Sequence, residues 1–456
     1  MALKFHHFLL ICAAAVAPGA HAQDAEPKGS IYDAFEKDDA QEFVDDDGAS
    51  VAGAVVAALG HNPQLRAVAA SKDAAKAERF RALGGFLPSL EASATYADDR
   101  WRSDSLQTLT DQDGTTVGIT AVQPVFQGLA AINRYRAARA RVTQSDLDLI
   151  AAYQQTALEA ARAHAGVMLA RQIVDHRIDN MGLVNKQLTV SDKRAKAGAQ
   201  SRTGVEQARM RFAQAQVDLG DARTRLAAAE AAFTRITGRA PATEMIPDTD
   251  DLAAQFSTLD DALTLARENN PAIAAADAGA KAARHDKNAA KGAFAPQLSL
   301  EGSYYKRYGE DALLPTQDDE EYQLVARMRM PIFRQGNNIA SLRSANASVV
   351  QQEAQTTMTI LAVEEVVARS WRQLTEARAR AIAAKSGIEA ATLSVKGLQM
   401  EYEAGQRSVI DVLDGQRDLV IAQINASQAE YELRVSQYEL AAATGVILDA
   451  LPLTGE

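Results

Sequence analysis

The second half of this chain repeats the first. Asn62-Pro63 opens an Ala-rich helical run that ends in Phe86, Pro88, Leu90 and Tyr96, and Asn270-Pro271 opens one that ends in Phe294, Pro296, Leu298 and Tyr304. Pro63 and Pro271 stand 208 residues apart, as do Tyr96 and Tyr304. Further along, Pro124 and Phe126 match Pro331 and Phe333, Ala197-Gly198 matches Ala404-Gly405, and Thr237-Gly238 matches Thr444-Gly445, all at 207. A spacing that slips by one residue over most of a chain marks a duplicated unit, here a helix, a strand pair and two more helices. Duplicated architecture suggests pseudo-symmetry in an assembly.

The first 22 of the 456 residues read as a secretory signal: Lys4, an apolar core from Phe8 to Val16, then Ala20-His21-Ala22 before Gln23. Cys12, the only cysteine, lies inside that segment. Ile11 stands where a lipoprotein signal needs a small residue, so Cys12 is not read as a lipid site. The exported chain would then hold neither a disulfide nor a thiol nucleophile. Residues 23–50 form an acidic, solvated lead-in that closes on Asp45-Asp46-Asp47. A net charge of −11 argues against nucleic acid as a partner. No later stretch reaches ~18 uninterrupted apolar residues, so a membrane role would have to use strands.

Most of the remainder reads as long helix. Residues 129–196 contain no proline, which allows a helix of ~100 Å, and residues 338–403 mirror them. Partner helices are predicted at about 203–237 and 408–443, and shorter ones at about 51–85 and 259–293. The first repeat is thus 51–237 and the second 259–445, with a linker at 238–258 and a tail at 446–456. Four segments break the helical pattern: 89–97, 116–126, 297–305 and 322–332. In the last, Tyr322, Leu324, Ala326, Met328 and Met330 alternate with Gln323, Val325, Arg327 and Arg329. Each segment has the length of a tilted membrane-spanning strand with one apolar and one polar face. The acidic stretches 98–114 and 309–321 are expected as the loops that join them. Four strands cannot close a barrel, and lipid does not tolerate an open edge, so such a chain must associate. Two copies give a filled barrel and three give room for a channel.

Catalysis finds little support. His61, His164, His176 and His285 are scattered, with no zinc spacing, and no GxSxG, P-loop or GxGxxG is present. No cofactor or metal is expected.

These residues bring a family to view. The chain resembles the trimeric outer-membrane efflux and type I secretion ducts of the TolC type over about residues 51–445. The resemblance rests on LGHNPQLRA and ENNPAIAAA at the openings of the halves, and on FLPSLEASATY and FAPQLSLEGSYY at the strand entries. QPVFQG and MPIFRQG mark the returns to helix, and YEAGQRSVIDVLDGQRDL lies near the end. The last is the most specific and is closer to the secretion branch. The resemblance implies a mainly α protein with a small β part. Its long antiparallel helices would form a periplasmic helical barrel, and four strands per chain would enter a trimeric twelve-stranded barrel in the outer membrane. It implies a homotrimer, outer-membrane lipid as surroundings, and a periplasmic adaptor and inner-membrane transporter as partners.

It also implies a site. Asp411 and Asp414, three apart on one helix face, correspond to the pair that lines the family's periplasmic constriction. Read without the family, they are surface acids near a helix start, where the dipole favours them. Tyr402 and Arg407 fall on positions that latch the tip against the facing helix pair, where Thr203 matches a family threonine. The next position, usually aspartate, is Gly204. The helical tips near Gly198 and Gly405 would meet the adaptor. Lys193, Arg194, Lys196 and Arg202 surround the first tip, as adaptor contacts or as plain helix-end cations. A soluble periplasmic coiled-coil scaffold or adaptor without a pore is the rival reading, and it leaves the alternating strands unexplained.

Overall fold

Asparagine and proline set the first helix boundaries. Asn62 and Asn270 each interrupt a helix in extended conformation, and Pro63 and Pro271 start the next one. Proline suits that position because its missing N–H would have had no helical partner. The asparagine side chains cap the new helices, Asn62 Oδ1 accepting from Gln64 N and Asn270 Oδ1 from Ala272 N, both at 2.9 Å.

The computed structural model describes residues 48–103, 108–247, 252, 256–309, 319–451 and 453. The signal segment and nearly all of the acidic lead-in lie outside the described residues, as does part of the linker. The order is α1 (Val51–His61), α2 (Pro63–Gly84), β1 (Ser89–Ser103), β2 (Thr108–Gln127), α3 (Ala130–Lys196) and α4 (Arg202–Thr237). The second repeat follows as α5 (Leu259–Asn269), α6 (Pro271–Lys291), β3 (Gln297–Gly309), β4 (Asp319–Arg329), α7 (Asn337–Glu403) and α8 (Val409–Thr444). A short α9 (Ile447–Ala450) lies in the tail. The copies keep their lengths: α3 and α7 have 67 residues each, α4 and α8 have 36 each. Among the described residues no helix is long and apolar enough to cross a membrane.

The chain divides into two units. The first contains Ser71–Asp146 and Ala275–Thr356, and with them the sheet. The four strands form one antiparallel sheet in the order β1-β2-β3-β4. Residues opposed across the ladders share a face. One face carries Leu90, Ala92 and Ala94, then Val117, Ile119 and Ala121, then Leu300 and Tyr304, then Tyr322, Leu324, Ala326 and Met328. It is exposed, Leu90 at 75% and Met328 at 67%, as a surface meant for lipid would be. The other face carries Ser93, Thr95, Thr120, Glu301, Ser303 and Arg327, and Arg327 donates to Glu301 from Nε at 3.1 Å. Gly118 opposes Tyr305 there. A Cβ on Gly118 would stand 2.3 Å from the ring, so glycine gives the tyrosine its place, and the Tyr305 hydroxyl lies 3.1 Å from Thr120 Oγ1. In the helices of the same unit, buried alanines such as Ala137, Ala138, Ala278 and Ala282 let neighbours pack closely, and Lys72 meets Asp146 at 3.1 Å.

The strand limits differ from those read off the alternation. The first hairpin pairs through Ser103 and Thr108, so the stretch 98–114 is mostly ladder and not loop. Backbone pairing continues where side chains no longer alternate. β3 runs to Gly309 and β4 begins at Asp319, while β4 ends at Arg329, short of the expected 332. Pro331 has no N–H to offer a ladder.

The second unit contains Leu147–Ala274 and the described residues of Pro27–Ala70 and Thr357–Glu456. Its largest core joins Val51, Val55 and Leu59 of α1 to Leu158 of α3, Tyr438 of α8 and the tail residues Ile447, Leu448, Leu451 and Leu453. A second core gathers Ala262 and Ala266 of α5, Val367 and Leu374 of α7, and Leu440 of α8. The copies α1 and α5 thus each dock on a long helix and on α8.

Candidate functional site

Two turns, residues 197–201 and 404–408, close the α3–α4 and α7–α8 helix pairs of the second unit, and they are built alike. Gly198 and Gly405 take left-handed conformations, φ 77° and 76°, which cost glycine least. Ala199 N donates to Arg194 O and Gln406 N to Glu401 O, both at 2.8 Å; Gly198 N donates to Ala195 O and Gly405 N to Tyr402 O, both at 3.0 Å. These are two identical helix-ending motifs that satisfy the last carbonyls. Ser201 and Ser408 then cap α4 and α8, accepting from Gly204 N at 3.2 Å and from Asp411 N at 3.4 Å.

Side chains separate the turns. Asp411 completes a capping box, accepting at Oδ2 from Ser408 N at 2.9 Å and from the Ser408 hydroxyl at 2.8 Å. Those two bonds, the hydroxyl first, hold its carboxyl below the ordinary carboxylate range, and Arg407 adds to the effect. Arg407 donates from Nε to Glu401 at 2.8 Å. Asp414 is held by Arg211 of α4 at 2.5 Å. The site rests on a small core of Val184, Ala208, Tyr402, Val409, Val412 and Leu413. Tyr402 is only 6% exposed. The Arg194 guanidinium lies 4.5 Å from the centre of its ring, within cation–π reach, and Gln200 Oε1 is 3.5 Å from its hydroxyl.

The family model described as outer membrane efflux protein matches residues 54–239 and 262–446, one match per repeat. The chain belongs to this family. It is 30% identical to the outer membrane efflux protein BepC of Brucella suis over 334 residues, 72% of each chain. It is 25% identical to the outer membrane protein TolC of Vibrio cholerae over 393 residues, 85% of this chain and 88% of the other. Its fold is that of the CmeC outer membrane channel of Campylobacter jejuni, with a TM-score of 0.78 at 16% identity over 94% of this chain and 91% of that one. The protein is therefore an outer-membrane exit duct that extends into the periplasm, and the scaffold alternative falls away. Channels of this family are trimers that work with adaptor and inner-membrane transporter partners, and the four-stranded sheet is one chain's share of the barrel.

Against that background the expected site residues sort themselves. Asp411 and Asp414 occupy the first turns of α8, both at the tip, each with its own partner. Tyr402 lies in the tip core and not on its surface. Arg407 is exposed and turned to Glu401 within its own turn, and Thr203 is exposed beside Ser201. Arg211, the partner of Asp414, carries no signal in the sequence. Its bond spans 203 residues, and nothing local to α4 marks one arginine among several. Arg194, one of the helix-end cations, proves to cover Tyr402.

Proposed function

We propose that three copies of this chain assemble into a duct whose periplasmic mouth is controlled at the second turn. Asp411 and Asp414 would ring the axis as six carboxylates and attract cations. Tyr402, Arg407 and Thr203 would latch neighbouring helix pairs, and the turns at Gly198 and Gly405 would dock a periplasmic adaptor that joins the duct to an inner-membrane transporter. The observation that carries this reading is the state of Asp411: half-buried at the tip, at a helix N-terminus, with bonds that favour the charged form.

The test is conductance in planar bilayers. Replacing Asp411 and Asp414 together by Ala should weaken block by hexamminecobalt about tenfold or more and reduce cation selectivity, since two charges per copy leave the mouth. Cation block equal to that of the parent protein would falsify the constriction. Loss of Asp414 should cost about 1 kcal/mol or less, because its pair with Arg211 is partly solvated, while loss of Asp411 opens one half of the capping box and should loosen the first turn of α8.

A further inference from the structure

The duplication extends to the hydrogen-bond register. In the first hairpin Ser89 pairs with Val122, and their copies Gln297 and Arg329 pair in the second. Tyr96 pairs with Thr115, and their copies Tyr304 and Tyr322 pair likewise. The two hairpins are the same object at residue resolution. They are joined by the β2–β3 ladder, in which Val122 faces Glu301, Ala121 faces Gly302, and Gly118 faces Tyr305. The sheet ends at β1 on one side and β4 on the other, and β4 is the copy of β2 as β1 is the copy of β3.

We infer that β4 of one copy pairs antiparallel with β1 of the next in the register of the β2–β3 ladder. This rests on the trimeric reading above and adds the residue pairs. Carried through the repeat, Val122–Glu301 becomes Arg329 against Ser93 of the neighbouring copy. Ala121–Gly302 becomes Met328 against Ala94, and Gly118–Tyr305 becomes Val325 against Ala97. The faces agree, since Arg329 and Ser93 both belong to the polar side and Met328 and Ala94 to the apolar side. The volumes agree as well. The glycine that admits Tyr305 has become Val325, and the tyrosine has become Ala97, so large and small have changed sides.

A second observation comes from the end of β4. β2 continues through a bulge between Pro124 and Phe126 to Gln127, because β3 is there to pair with it. The copy of that stretch, Met330 to Arg334, is not strand. It leaves Ile332 95% and Phe333 81% exposed beside the open edge. In the inferred register Phe333 meets Leu90 of the neighbour, itself 75% exposed, as Phe126 meets Leu298 within the chain. Residues 330–334 would then join the strand on assembly, and Phe333 and Leu90 would partly cover each other, as pairing leaves Phe126 only 43% exposed.

Cysteine pairs read the register directly, because opposed residues in an antiparallel ladder lie within disulfide reach. The full chain carrying Ser93→Cys with Arg329→Cys, or Ala94→Cys with Met328→Cys, should form interchain disulfides under mild oxidation and give covalent dimers and trimers on non-reducing gels. Pairs displaced by two residues, Glu91→Cys or Thr95→Cys with Arg329→Cys, should link about tenfold more slowly. The pair Thr95→Cys and Thr116→Cys, opposed within the first hairpin, should close inside one chain and confirms that the strands have formed. Faster linkage of a displaced pair overturns the register and leaves the trimer standing. An intrachain control that closes while no interchain pair does overturns the trimer too.

Discussion

The two helix turns share a backbone and carry opposite charge. Gly198 and Gly405 have the same φ within a degree, and the same two hydrogen bonds close each turn. Around that common frame the first turn holds Lys193, Arg194, Lys196 and Arg202, and the second holds Glu401, Glu403, Asp411 and Asp414. The copy of Asp411 in the first turn is Gly204, and the copy of Tyr402 is Ala195. The divergence produced a pair: Arg194 lies over Tyr402, and Arg211 reaches Asp414. Duplication preserves what the chain's geometry demands and leaves the side chains free to become complementary.

The largest expected effect comes from making the second turn resemble the first at its aromatic. Tyr402→Ala empties a buried ring position and should cost about 3 kcal/mol or more locally. The first turn has no side chain of that size to lose. Deuterium exchange should rise sharply across residues 395–415, and trypsin should cut at Arg407. Tyr402→Phe keeps the ring and the Arg194 contact and gives up only a hydroxyl contact at the 3.5 Å limit, so its exchange and trypsin resistance should match those of the parent protein. Equal exchange in both variants would show that the ring supports nothing.

A smaller difference separates the caps. Ser408→Ala breaks a capping box and should cost roughly 1–2 kcal/mol, whereas Ser201→Ala removes a single bond and should cost less. The cap at Asp411 also depends on pH. The folded state holds its carboxyl below the ordinary value, so the stabilisation is complete above the unfolded pKa. It is lost as pH falls through the lowered folded value. Asp411→Asn reproduces the uncharged state at neutral pH, and should raise amide exchange in the first turn of α8 without touching α4. Matching changes in both helices would erase the asymmetry between the two caps.

The two turns also show how far a single sequence can be read. Asn62-Pro63, Asn270-Pro271 and the pairs of glycines mark boundaries through local backbone chemistry, and the helices begin and end there. Strand existence was legible from alternation between Tyr322 and Met330, but strand length was not, because Asp98 and Asp113 are held in the ladder by pairing and not by pattern. Asp411 and Ser408 stand three apart and can be seen together. Asp414 and Arg211 meet only once α4 and α8 have folded against each other, and no spacing announces that contact.

The smallest expected effect is the one that would complete the symmetry. Gly204 is the third residue of α4, buried, with its N–H already on Ser201. Gly204→Asp supplies the carboxylate that Asp411 supplies in the other turn, and so builds a second capping box. Its Cβ would stand 2.8 Å from Gln200 Nε2, the far end of a flexible side chain. That nitrogen is buried without a partner, so it can turn to donate to the new carboxylate instead of clashing with it. Replacing a helical glycine and adding an acid to the first turn should together stabilise the α4 start by about 1 kcal/mol. The same carboxylate would lie beside the Tyr402 hydroxyl now facing Gln200, which should favour the closed mouth and lower open-channel conductance. Slower exchange in α4 with parental conductance would support the cap and sink the latch. Faster exchange in α4 would mean that Gln200 cannot move aside, and the two turns could not be made alike.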